Sequence, residues 1–223
     1  MILVDREKMQ AIDRYAIETL KIPSICLVER ASLAVLKHIN LNKFGYFAVV
    51  VGVGNNGADG LALARNLLAR YKDVEIYIVG DMDKASEEFK INLESCKMLC
   101  EEIFFVESIG DIENMERRLA NVNLIIDAIF GTGLNRPVTG IHATVIAVLN
   151  NVMKYKISVD VPSGLDASTG RDLGEVVDAD LIVSMQLMKE GVYERKAYRK
   201  KCVVEDIGIP QKAIDSVLYG LID

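Results

Sequence analysis

Phe47-Ala48-Val49-Val50-Val51-Gly52-Val53-Gly54-Asn55-Asn56-Gly57-Ala58-Asp59-Gly60 passes from an unbroken apolar run into a glycine-rich turn. The run Phe47 to Val53 shows no polar alternation, so it predicts a strand buried on both faces, as in a parallel sheet. Gly52, Gly54 and Gly57 spell G-x-G-x-x-G directly after it, a turn that lets backbone approach a ligand and opens a helix N-terminus toward it. From Asp59 to Arg70, Leu61, Ala64, Leu67 and Leu68 share one stripe, which predicts a helix.

The same alternation continues outward. Strands are predicted at 74–79, 103–106, 124–129, 156–161, 181–187 and 202–206, and helices at 87–101, 112–120 and 141–150. Two helices precede the first strand, at 5–20 and 25–39, separated by Lys21-Ile22-Pro23-Ser24, with Ser24 as the expected N-cap of the second. Repeated strand–helix–strand units with apolar strands imply a mainly parallel sheet covered by helices on both faces. The predicted architecture is α/β, a Rossmann-like three-layer α/β/α core at 43–223 with an N-terminal helical extension at 1–42, forming a single domain. Ligands of such sheets bind beyond the carboxyl ends of the strands.

Composition narrows the function. The 223 residues carry a net charge of -6, which argues against a nucleic-acid partner, since such binding needs a basic footprint. A phosphate-bearing small ligand stays possible through backbone N–H groups. Charged Asp5, Arg6, Glu7 and Lys8 follow Met1-Ile2-Leu3-Val4, so no signal peptide is expected, and no run is apolar enough for a membrane span. Cys26, Cys96, Cys100 and Cys202 read as reduced thiols, which suits the cytoplasm; Cys96 and Cys100, four apart, read as buried free thiols. With only His38 and His142, a histidine-rich zinc site is not expected.

The strand ends hold the chemistry. Asn55, Asn56 and Asp59 add polar groups that a plain pyrophosphate turn does not need. Asp127 interrupts an apolar strand, and Gly131, Thr132, Gly133, Leu134, Asn135, Arg136 and Pro137 follow it. Asp160 interrupts the next, with Ser163 in the Pro162-Ser163-Gly164 turn. A carboxylate in an apolar strand is costly unless paired, hydrogen-bonded or cation-bound, which marks Asp127 and Asp160 as functional candidates. Blander roles stand beside these: positive φ for Asn55 and Asn56, an N-cap for Asp59, a surface charge for Arg136, a turn hydrogen bond for Ser163. Two further functional classes stand open as well. One is a nicotinamide-dependent oxidoreductase using the glycines with Asp81 at the second strand's end; the other is a non-catalytic nucleotide-binding scaffold. G-x-S-x-G and G-x-x-x-x-G-K-[ST] are both absent, which disfavours a hydrolase elbow and a P-loop.

Together the segments Gly52 to Gly60, Asp127 to Arg136 and Asp160 to Gly164 resemble the NAD(P)H-hydrate epimerase family, the YjeF N-terminal domain, whose patterns read GxGNNGGDG, DxxxGTGLxR and DxPSG. The likeness extends to Leu27-Val28-Glu29-Arg30-Ala31 and Lys189-Glu190-Gly191. It implies an isomerase that interconverts the R and S epimers of hydrated NADH and NADPH for nucleotide repair. It also implies a bound potassium ion on Asn56, Asp127 and Ser163, with Asn55 to Asp59, Gly131 to Pro137 and Asp160 contacting the substrate. Asp160 is the candidate for proton transfer. The resemblance further implies a homodimer using the N-terminal helices, and an ADP- or ATP-dependent dehydratase as functional partner. That dehydratase does not fit within 223 residues, so the chain is expected to be a stand-alone epimerase or one half of a larger protein. Two departures bear on the site. Ala58 replaces the pattern's second loop glycine, a strain if that position needs positive φ, and Met185-Gln186-Leu187-Met188 precedes Lys189 where polar and small residues are usual.

Overall fold

The computed structural model describes residues 1–220 of the chain, so 221–223 of the expected core lie outside the described residues. Nine strands and nine α-helices are described: β1 (Leu3–Val4), α1 (Arg6–Arg14), α2 (Ser24–Lys37), β2 (Tyr46–Gly52), α3 (Asn55–Leu68), β3 (Asp73–Val79), α4 (Glu87–Lys97), β4 (Ile103–Phe105), α5 (Ile109–Leu119), β5 (Leu124–Ala128), α6 (Gly140–Asn151), β6 (Tyr155–Val159), β7 (Leu181–Met185), β8 (Met188–Lys189), α7 (Glu190–Glu194), α8 (Lys196–Arg199), β9 (Cys202–Glu205) and α9 (Gln211–Tyr219). Seven strands form one parallel sheet in the order β4-β3-β2-β5-β6-β7-β9. This is the Rossmann-like α/β arrangement.

Side-chain alternation divides the core into two layers. Val49 and Val51 of β2 pack under α1 to α4 and α9, whereas Ala48 and Val50 pack under α5 and α6. With both faces covered, every residue of β2 after Tyr46 is buried, which accounts for the unbroken apolar run. The chain builds outward from β2 through β3 to β4, then returns to place β5 on the other side of β2. That reversal makes the gap between the carboxyl ends of β2 and β5 the switch point of the sheet.

Several boundaries differ from the sequence expectation. The first helix ends as an α-helix at Arg14 and widens into a π-helical turn, Tyr15–Thr19. Pro23, not Ser24, is the N-cap of α2; Ser24 is already helical and its hydroxyl donates to Glu88 of α4. Proline suits the extended cap conformation, and the freed serine serves a tertiary contact. α3 begins at Asn55, four residues before the expected start. α5 begins at Ile109 because Ser108 and Asp111 form a capping box. The short β1–β8 pair, α7, α8 and α9 were not anticipated: the strands are two residues each, below any readable period. β1 pairs with β8 in parallel, so the N-terminus is tied to the segment that follows β7. Cys96 is buried and Cys100 half-buried, both free, their thiols directed at the carbonyls of Leu61 and Val74. No helix among the described residues is long and apolar enough to cross a membrane.

Candidate active site

The switch point closes tightly because two of its glycines have no room for a side chain. A Cβ on Gly52 would overlap the Ile129 carbonyl oxygen, and one on Gly57 would overlap the Gly52 carbonyl oxygen. These contacts press the first turn of α3 against both β2 and the loop after β5. Gly54 is the N-cap of α3 and supplies no side-chain cap. The N–H groups of that first turn therefore open toward whatever occupies the adjacent space, with the positive end of the helix dipole behind them.

That space is a cavity of about 820 Å³. Gly52 to Asn56 and Asp59 form one wall, Ile129 to Thr139 a second, and Asp160, Met185 and Lys189 a third. A fourth comes from the N-terminal helices: Met9, Gln10 and Asp13 of α1, Ile17, and Leu27, Val28 and Ala31 of α2. Phe130 and His142 lie in the cavity wall as a tilted ring pair, centroids 5.1 Å apart. Burial holds the His142 imidazole below its usual pKa, so the ring is neutral at physiological pH.

Beneath this surface Asp127 is fully buried and hydrogen-bonded. Ser158 Oγ donates to it at 2.7 Å, the Ser163 N–H at 3.0 Å, and the Ser163 hydroxyl joins them. Burial pushes the Asp127 carboxyl up, while the hydrogen bonds from Ser163 and Ser158 pull it back. Ser163 Oγ also accepts from the Phe130 N–H at 2.8 Å. Asn56 abuts Gly131, where a Cβ would come within 2.9 Å of Asn56 Oδ1. Asn56, Asp127 and Ser163 thus converge on one short loop, 129–131, although they come from α3, β5 and the turn after β6. The buried amide nitrogen of Asn56 has no hydrogen-bond partner.

The charged centre is Asp160 with Lys189. Lys189 is 1 % exposed, and its ammonium bonds Asp160 Oδ1, the Met185 carbonyl at 2.7 Å and Ser184 Oγ at 3.3 Å. The other oxygen, Asp160 Oδ2, accepts from Thr132 Oγ1 at 2.6 Å and the Thr132 N–H at 3.2 Å. Burial raises the Asp160 carboxyl, but Lys189 outweighs it with help from Thr132 and Met185, leaving it below its ordinary value and ionised. Asp160 adopts φ +67°, an uncommon conformation for a side-chain-bearing residue that bends the chain out of β6.

Two further carboxyls face the same cavity. Asp13 is raised to about 6, by burial first and Asp160 second, against the pull of Lys189. Asp59 is raised well above its ordinary value by burial, Asp160 and Asp13. Neither makes a hydrogen bond or ion pair among the described residues.

Most residues selected from sequence meet at the cavity: Asn55, Asn56, Asp59, Gly131 to Pro137 and Asp160 all line it. Gly57 and Ala58 sit behind the wall, buried in α3. Ala58 is an ordinary helical residue without positive φ, so its replacement of glycine strains nothing. The simpler readings of three positions fail: Asp59 is inside α3 and caps nothing, and Asn55 and Asn56 have no positive φ. Arg136 is exposed at the rim with no ion pair or hydrogen bond among the described residues. Asp81 also reaches the rim but caps the short 3-10 turn Met82–Lys84 and pairs with Lys84 at 3.0 Å. Asp13 escaped sequence reasoning. Its one trace is the spacing Met9–Asp13–Ile17, which puts an acid on a helical stripe with two apolar residues. Lys189 also gains a definite role, as the partner of Asp160.

Fold and site together define a Rossmann-like α/β protein with a cavity at the switch point of its sheet and a buried ion pair in the cavity wall. The chain belongs to the YjeF-related protein N-terminus family, whose model matches residues 24–191. It is 64% identical over 218 residues to an NAD(P)H-hydrate epimerase of Anaerococcus prevotii, covering 98% of this chain and all of that one. It is 34% identical to a bifunctional NAD(P)H-hydrate repair enzyme of Moorella thermoacetica, covering 96% of this chain and 42% of that protein. The crystal structure of yeast ynu0 shares the fold, with a TM-score of 0.78 at 20% identity over 92% of this chain and 88% of that one.

Proposed function

We propose that this chain is an NAD(P)H-hydrate epimerase, an isomerase that interconverts the R and S forms of hydrated NADH and NADPH. The carrying observation is the ionised Asp160 in the wall of a nucleotide-sized cavity, in a chain 64% identical to an NAD(P)H-hydrate epimerase over almost its full length. The uncapped start of α3 and the free guanidinium of Arg136 supply donors for the pyrophosphate. The hydroxyl to be inverted sits on the ring carbon beside the ring nitrogen. Expelling it as water uses that nitrogen's lone pair and leaves a cation, and water returning to the other face gives the second epimer without redox change. Asp160 stabilises the cation by charge and takes a proton from the returning water. Lys189 keeps it ionised for both tasks.

Potassium fits the residues present. Asn56 has a buried amide with one unpartnered atom, and a half-turn of that amide offers its oxygen instead. The Asp127 carboxylate and Ser163 hydroxyl add two more oxygens, a set suited to a hard, weakly charged cation. Asn56, Asp127 and Ser163 would hold the ion, which would supply positive charge beside α3 and order the loop around Gly131. The reading also includes a cytoplasmic homodimer, and a dehydratase that consumes one epimer on a separate or fused chain.

The test supplies one purified epimer of hydrated NADH in potassium buffer and follows the other by chromatography. Appearance far above the uncatalysed rate, lost in Asp160→Asn, supports the proposal; wild-type protein that leaves the rate unchanged overturns it. Equal rates in potassium and in a potassium-free buffer overturn the cation assignment alone.

A further inference from the structure

Inversion by water loss and return needs a base for the incoming water and an acid for the departing hydroxyl. Asp160 starts the step as the base, because Lys189, Thr132 and the Met185 N–H bind both its oxygens in the ionised form, so the acid on the opposite face is a different group. Most other cavity residues able to donate a proton are committed elsewhere. His142 is neutral and lies tilted against Phe130. Lys84 is taken up by Asp81, and Glu88 by Ser24. Asp13 and Asp59 remain. They reach the cavity from different elements, α1 and α3, and have no donor or cation of their own among the described residues.

We propose that Asp13, acting with Asp59, is the proton donor of this site, so that the N-terminal helix contributes a catalytic residue. The inference rests on the epimerase reading. It concerns a residue outside the 24–191 segment that the family model matches. The physical case begins with charge. Three carboxyls, Asp13, Asp59 and Asp160, share one cavity with the buried ammonium of Lys189. Lys189 is committed to Asp160, so a second and third negative charge would face each other across low-dielectric space. Asp13 and Asp59 together therefore retain a proton, as the Asp13 carboxylate and Asp160 both penalise ionisation of the buried Asp59. Burial and Asp160 raise the Asp13 carboxyl to about 6, and burial, Asp160 and Asp13 raise the Asp59 carboxyl well above its ordinary value.

The step balances. The pair gives its proton to the hydroxyl oxygen, the carbon–oxygen bond breaks with its electrons on the departing water, and the ring nitrogen's lone pair closes the C=N bond. Water then adds to the opposite face, the C=N electrons return to nitrogen, and the water's proton passes to Asp160. Proton exchange with solvent resets Asp160 and the pair. In the reverse direction the same groups exchange acid and base roles.

The charged surroundings of Asp13 set the pH behaviour. Lys189 favours its carboxylate and Asp160 its acid form. On its own helix, Lys8 pairs with Asp5 at 2.9 Å, and Arg14 and Glu18 flank the outer mouth beside it. From α9, which packs on α1, Asp215 accepts from Gln211 at 2.8 Å, and Lys212 is exposed.

The experiment is the pH–kcat profile of wild type, Asp13→Asn, Asp13→Glu and Asp59→Asn, with the uncatalysed rate subtracted at each pH. The acid form is the active one, so wild-type kcat falls as pH rises through the titration of the pair. Asp13→Asn lowers kcat about 100-fold with KM within about 3-fold, and moves the falling limb to lower pH because Asp59 loses the neighbour that holds its proton. Asp13→Glu restores the limb. If Asp13→Asn does not fold, Asp59→Asn carries the test and must displace the same limb. A limb that stays in place in the folded variant, with only KM altered, overturns the proposal while leaving the epimerase reading intact. Wild type without epimerase activity overturns the reading beneath it.

Discussion

Replacing Lys189 with methionine isolates the energetics of the buried ion pair. The side chain is close in volume to lysine and apolar, so packing is nearly conserved while the charge is removed. Asp160 is left in its buried position with only Thr132 and the Met185 N–H as donors. Breaking a buried pair by removing one partner costs about 3–5 kcal/mol. For a chain of this size each kcal/mol moves Tm by about 2–4 °C, so a loss of about 10 °C is expected at pH 8. In the wild type the Asp160 carboxyl is depressed, so its contribution is present at neutral pH and lost only as pH falls through its lowered value. In the variant burial is opposed only by Thr132 and the Met185 N–H, and it raises that carboxyl. Protonation then relieves the strain, and the gap to wild type narrows as pH falls toward 5. Thermal unfolding of both proteins at pH 8, 6.5 and 5 measures this. A gap under about 1 kcal/mol, or one unchanged with pH, refutes the assignment of an ionised, lysine-dependent Asp160.

Three further substitutions test other parts of the site. Ala58→Gly, which restores the family's residue, destabilises the fold by about 1–2 kcal/mol through lost helix propensity and a lost buried methyl; urea unfolding with an unchanged epimerisation rate is the expected result. Gly57→Ala forces a methyl onto the Gly52 carbonyl, costs about 3 kcal/mol or more, and abolishes activity by lifting α3 from the β5 loop, read by circular dichroism and by rate. Arg136→Ala leaves stability within about 0.5 kcal/mol and raises KM about 10-fold with kcat within a factor of about 2, as expected for a solvent-exposed donor to phosphate.

The apolar run Phe47 to Val51 determined a two-sided buried strand, because a short unbroken apolar segment rich in valine and ending in glycine fits a strand covered on both faces. The polar residues after each strand were legible for a related reason. Asp127 and Asp160 stand out where carboxylates are costly, and the parallel topology places all such ends on one side. The sequence also carried the family patterns that matched residues 24–191 bear out. Tertiary structure decided the rest. The start of α3 at Asn55 depends on Gly57 seating against Gly52, a contact invisible to helical periodicity. Ala58 proved an ordinary helical residue only once its backbone was seen. Lys189, preceded by an unhelpful Met-Gln-Leu-Met stretch, became the partner of Asp160 through a crossover that no local pattern encodes. Asp13, deep in the N-terminal helix, joined a cavity formed mainly by residues far along the chain. Strand and helix period is a local property that one stretch of chain carries alone. The protonation of a carboxyl depends on charges and burial supplied by distant segments, which only folding brings together.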